Sequence, residues 1–146
     1  MRVVLVLALV TSALAALPAE AASVKVKLTT SSAKPVVGQP WRYTVTARSA
    51  SGAPLHARVK LQLLLGTTVV GCWKGGAMMQ CSGQSAGEWQ SFRGRRSGVL
   101  RFPAQSVGVT LTFQAIVKVA GQARRLRAPI TVQPLPPPAP RPALAV

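Results

Sequence analysis

The chain is 146 residues long and carries 18 Lys and Arg against two acids, a formal net charge of +16. It has no Asp; its acids are Glu20 and Glu88 and its one histidine is His56, an inventory that excludes most enzyme chemistries. A hydrophobic content of 49% excludes a disordered polycation, while an aromatic content of only 5% means that a core must rest mainly on Val, Leu, Ile and Ala. Those residues, with abundant Thr, favour strands over helices.

Residues Val3 to Leu17 form an apolar run interrupted only by Thr11 and Ser12, preceded by Arg2 and followed by Pro18. Ala19-Glu20-Ala21 places small residues at the two positions that signal peptidase reads, so residues 1–21 are expected to be a signal peptide cleaved after Ala21. The alternative, a retained anchor, is disfavoured because the run is shorter than the roughly 20 residues of a spanning helix. No cysteine follows the run, so there is no site for N-terminal acylation. Removing the segment takes away Arg2 and Glu20 and leaves the charge at +16.

A basic chain of this kind is expected to be secreted or extracytoplasmic and associated with the cell envelope. Its charge draws it to anionic cell-wall polymer, polysaccharide or membrane surface. Export makes nucleic acid an unexpected physiological partner. Nothing in the sequence specifies an oligomeric state.

Residues 22–133 form the expected domain. Val24, Val26 and Leu28 alternate with Lys25, Lys27 and Thr29, the period of two that marks a strand with one apolar face. After the breaks at Pro35 and Gly38-Gln39-Pro40, Trp41, Tyr43, Val45 and Ala47 alternate with Arg42, Thr44, Thr46 and Arg48. Ser49 to Pro54 reads as a turn. Beyond it Val59, Leu61, Leu63 and Leu65 alternate with Arg58, Lys60, Gln62 and Leu64, and Gly66 separates them from a strand over 67–73. Further strands are expected over 89–93 and 98–102. Val109, Leu111, Phe113, Ala115, Val117 and Val119 form the longest alternation and are expected to be a central strand. Across the turn Ala120-Gly121, Leu126, Ala128, Ile130 and Val132 make its hairpin partner, with Pro129 implying an edge that lacks one donor.

The pattern predicts an all-β, antiparallel sandwich of seven to eight strands. The stretch from Pro35 to Val45, the turn Gly52-Ala53-Pro54-Leu55 and the closing hairpin resemble bacterial immunoglobulin-like or fibronectin-type domains of exported proteins. That resemblance implies adhesion, spacing, or carbohydrate or protein binding, with no catalytic residues. The chain departs from antibody-type domains, whose cysteines lie far apart in sequence, because Cys72 and Cys81 are nine positions apart.

Two cysteines in an exported chain are expected to form a disulfide, Cys72 to Cys81. The alternative is a Cu(I) site of Cys72, Met78, Met79 and Cys81, soft ligands close in sequence, although His56 stands in a separate turn. A Cys–His56 nucleophile lacks an Asp to orient its base, and glycoside hydrolysis by paired carboxylates fails with one acid in the mature chain. The chain is therefore expected to be neither an enzyme nor a cofactor protein.

The candidate binding patch runs from Trp89 to Arg96. Trp89 and Phe92 offer aromatic contact with a sugar ring or a place in the core, and Arg93, Arg95 and Arg96 offer bidentate grips on carboxylate or phosphate. Arg124, Arg125 and Arg127 form a second candidate anion-binding cluster. Residues 134–146 hold six of the 12 prolines and should be an extended tail. Together these features lead us to expect a non-catalytic, envelope-associated module that binds anionic polymers or surfaces, the alternative being an accessory domain that binds an envelope protein.

Overall fold

A computed structural model describes residues 23–142. The signal-peptide reading of residues 1–21 and the end of the proline-rich tail lie outside the described residues. The described chain is all-β, as its alternation predicts, with one short 3-10 turn (Ala104–Ser106). It contains nine strands rather than seven or eight: β1 (Val24–Thr30), β2 (Trp41–Ser49), β3 (His56–Leu65), β4 (Thr68–Lys74), β5 (Ala77–Gln80), β6 (Gln90–Arg93), β7 (Arg95–Leu100), β8 (Thr110–Val119) and β9 (Gln122–Thr131). The additional strand is β5, in a Met-containing stretch whose weak alternation reads as loop.

The strands form two antiparallel sheets. The small one has the order β1-β2-β7; the large one has the order β5-β4-β3-β8-β9, with β6 pairing the first half of β3 along the same edge that β4 takes further on. The apolar alternates of both sheets share one core. Trp41 and Tyr43 of β2 meet Phe113 of β8 at centroid distances of 5.1 and 5.0 Å. Val45, Val59, Leu61, Ala115, Val117, Ile130 and Val132 complete the centre, all essentially without solvent contact. Each fully buried Val, Leu or Ile contributes on the order of 1.5–3 kcal/mol by leaving water, which lets a core with few aromatics hold the fold.

Two local departures from simple alternation matter. In β3 the ladder to β4 shifts between Leu63 and Leu64, so two residues of β4 oppose one of β3. The alternation of β3 against β8 runs on unbroken, so Leu64 stays on the outer face with Lys60 and Gln62, where it is buried, while Leu65 at the strand end is 51% exposed instead of packed in the core. The second departure is at Gly94, between β6 of the large sheet and β7 of the small one. There φ is +71°, and a Cβ would lie 2.6 Å from that of Pro54. Only glycine turns the chain from one sheet to the other in that space.

Cys72 and Cys81 are joined, with Cα atoms 5.9 Å apart. The bond ties the β4–β5 hairpin to the start of the segment 82–89, which lies over the outer face of β3. No helix among the described residues is long and apolar enough to cross a membrane. The tail follows a short parallel bridge, Val36 to Gln133, and its described part, 134–142, is exposed and without regular structure.

Candidate functional site

The polar alternates of the large sheet assemble a surface that no single segment of sequence displays. On β3 the outward residues are His56, Arg58, Lys60 and Gln62; register sets Arg58 directly beside Lys118 of β8 and Ser91 of β6, and His56 beside Arg93. On the far side, β9 places Arg125 beside Ile116 and Arg127 beside Gln114. His56, Arg58 and Lys118, with Ser91 and the β8–β9 turn, line a groove of about 650 Å³.

Trp89 organises this surface. Its indole lies within cation–π range of three cations, with Lys118 Nζ 4.6 Å, Lys60 Nζ 4.8 Å and the Arg58 guanidinium carbon 5.7 Å from the ring centroid. Like charges directly opposed on neighbouring strands repel, and the π face offsets that repulsion by roughly 0.5–2 kcal/mol per contact. Lys60 is buried, contrary to its expected place on an open strand surface, and donates to the carbonyl of Ser85 at 2.7 Å. Arg58 and Lys118 remain exposed.

Beneath the cations runs a buried polar relay. Arg127 Nε donates to Gln114 Oε1 at 2.8 Å, Gln114 Nε2 donates to Gln62 Oε1 at 2.9 Å, and Gln62 Nε2 donates to the carbonyls of Gln84 and Ala86. Gln62 and Gln114 are fully buried, so these bonds fix the 82–89 segment, and with it Trp89, on the sheet.

The arginines of the Trp89–Arg96 patch do not act as one cluster. Arg93, on β6, stands on the outer face of the large sheet; Arg95, on β7, pairs Thr46 on the outer face of the small sheet; Arg96 pairs Val45 and turns inward. The chain changes sheets at Gly94, so neighbours in sequence part company in space. Arg96 is half-buried and donates to Gln90 Oε1, while Arg96 Nε and Gln90 Nε2 are buried with no hydrogen-bond partner. Its guanidinium also lies by the phenol of Tyr43: burial pushes that phenol above its ordinary value of 10.0, and the charge and hydrogen bond of Arg96 act against the rise.

In the second cluster Arg125 and Arg127 join Arg93 on the large-sheet face. Arg124 points to the other side of β9 and binds Gln122 Oε1 at 3.0 Å. Of the two aromatics, Phe92 packs against the core and Trp89 stays at the surface among the cations. The residues that the sequence reading missed are Arg58, Lys60, Lys118 and His56. Their signal was their place as polar alternates on β3 and β8, which becomes a site only once strand pairing is known.

Both sulfur atoms of Cys72 and Cys81 are committed to the disulfide, and His56 lies in the groove on another part of β3. Among the described residues no three His, Cys, Asp or Glu side chains gather as a metal-binding group.

No family model matches the chain, and none of the curated proteins does. Solved structures with a similar course include the sporulation control protein Spo0M from Bacillus subtilis, at 10% identity and a TM-score of 0.42, covering 75% of this chain and 49% of that one. A DUF4466 family protein from Parabacteroides merdae is similar at 12% identity and a TM-score of 0.41, covering 73% and 43%. The chain thus spans less than half of either structure, and likenesses this distant leave its activity to be argued from its own residues.

Proposed function

We propose that this chain is an extracytoplasmic, non-catalytic, immunoglobulin-like module of the cell envelope that binds anionic polymer through the outer face of its large sheet. The observation that carries the reading is the gathering of Arg58, Lys60 and Lys118 around Trp89, with Arg93, Arg125 and Arg127 on the same sheet face and, among the described residues, a single acid, Glu88, whose carboxylate already accepts from Gly75 N. A face built for solubility alone would mix both signs. The disulfide supports an oxidising compartment. The strand order, β1-β2-β7 against β4-β3-β8-β9, supports the immunoglobulin-like reading.

Trp89 serves here as a platform for cations and not as a bare stacking surface for sugar. Arg58 and Lys118 then reach an anion with charge-assisted hydrogen bonds, each worth roughly 1.5–3 kcal/mol. The test is binding to immobilised polyphosphate and polygalacturonate at physiological salt. The triple variant Arg58→Gln, Arg93→Gln, Lys118→Gln should lose the tight phase of binding, a drop of tenfold or more by those bond strengths. Removing Lys34, Lys74 and Arg141, exposed cations elsewhere, should change it little. Equal affinity of the two triple variants would refute a formed site, and binding that persists unchanged in high salt would favour an apolar protein partner instead.

A further inference from the structure

The groove accounts for only one side of the sandwich. On the outer face of the small sheet, register brings Lys25 beside Arg48, and sets Lys27, Thr46 and Arg95 in one row and Thr29, Thr44 and Ser97 in the next. Arg42 stands beyond them beside Val99. The five cations are exposed, and among the described residues no acid shares the face. Between Arg42 and Arg95 lies a shallow cleft of about 280 Å³ floored by Thr44 and Ser97, whose hydroxyls are 2.9 Å apart. Arg95 Nε also donates to Ser97 Oγ at 3.3 Å, which holds that guanidinium beside the hydroxyl pair.

We infer that this second face binds a further segment of anionic polymer, so that one molecule bridges two polyanion strands. The inference rests on the polymer-binding reading of the large sheet and adds a second site to it. Three observations support it. Lys25 and Arg48 are directly opposed with no acid beside them among the described residues, an arrangement that repels and is relieved by a bound polyanion. Hydroxyls interleaved with the cations supply donors that a phosphate or carboxylate accepts from. The two faces look away from each other across packed sheets whose backbones stand about 10 Å apart; with side chains added, the charges lie roughly 20 Å apart, more than twice the Debye length of about 8 Å. Each face therefore meets its own anion with little interference from the other, and one short strand cannot cover both.

The experiment uses the whole exported chain with two sizes of polyphosphate at physiological salt. With an oligomer too short to span the sandwich, calorimetric titration should find two equivalents per chain, a tight one and a weaker one. The variant Lys25→Gln, Lys27→Gln, Arg42→Gln, Arg95→Gln should keep the tight equivalent, with Kd within about threefold of the parent, and lose the weaker by tenfold or more. With long-chain polyphosphate, the parent should produce turbidity at substoichiometric protein and the variant should bind without producing it. The four substituted side chains are exposed, and thermal melting of the variant confirms that it is folded. One equivalent in the parent, or bridging undiminished in the small-sheet variant, overturns the second site while leaving the groove intact. A parent that binds neither oligomer nor polymer overturns the polymer reading itself, and the bridging inference with it.

Discussion

Tyr43 is the single tyrosine of the chain, and its phenol lies over Gly98 so closely that a Cβ there would sit 2.6 Å from the ring Cζ. Any side chain at position 98 would displace the ring from its place between the sheets. Burial raises the phenol's affinity for its proton, and Arg96 opposes the rise through its charge and hydrogen bond. The folded phenol thus keeps its proton to higher pH than the unfolded one. The stability linked to it is whole below about pH 10 and is lost as pH rises through the folded pKa. Phenolate absorbance, unambiguous with one tyrosine, should titrate above the ordinary range. In Arg96→Met it should titrate higher still, because the group that lowers it is gone. The same substitution leaves the Gln90 amide and the Tyr43 phenol without the partner that Arg96 supplies, so it should also lower stability, by about 1–3 kcal/mol for buried polar groups left unpaired. A phenol that titrates lower in Arg96→Met would refute this account.

The 82–89 segment shows how an element without regular structure is held by its neighbours. Gln62 anchors two of its carbonyls and Lys60 a third, Glu88 N donates to Trp73 O at 2.9 Å, and the Cys72–Cys81 bond fixes its start. Closing so short a loop restricts the unfolded chain by roughly 2.5 kcal/mol. Cys72→Ala with Cys81→Ala should lower stability by about that amount, and hydrogen exchange should show the loss of protection concentrated in β4, β5 and the 82–89 segment. A loss spread evenly over β2 and β8 would contradict the local role. Much of this architecture was legible in advance: the alternations in β1, β2 and β9 named their inward residues correctly, because each has a drier face and a wetter one, and the inward residues of β8 were named too although Gln114 and Ile116 on its outer face are also buried. The reading failed where that rule is relaxed. The outer face of β3 is covered by the 82–89 segment, so Gln62 and Lys60 are buried polar groups that periodicity assigns to solvent. The arginines of the Trp89–Arg96 patch looked like one cluster because sequence proximity carries no sign of a change of sheet; Gly94 carried the sign only in its need for positive φ.

At the scale of the whole molecule, charge of one sign covers both broad faces, and the fold works against its own repulsion. Added salt shortens the range of that repulsion, so melting temperature should rise between low and moderate ionic strength even as polymer binding weakens. A melting temperature that falls with salt would mean that attractive ion pairs dominate, which one described acid, Glu88, cannot supply. The course of the chain through the sandwich has a separate consequence. The chain enters β1 beside Ser49 and leaves after Gln133 beside Pro35 and Val37, at the opposite pole. There residues 33–37 and 131–133 run parallel, joined by Thr131 N to Ala33 O at 2.9 Å, Gln133 N to Pro35 O at 2.7 Å and Val37 N to Gln133 O at 2.9 Å. Tension between the two ends therefore pulls along the strands and loads these bonds together in shear, where a hairpin pulled from one end would open them one at a time. Resistance to such a load is governed by the rate of unfolding, so a few backbone bonds at the exit of the last strand set how much force the sandwich bears before it yields.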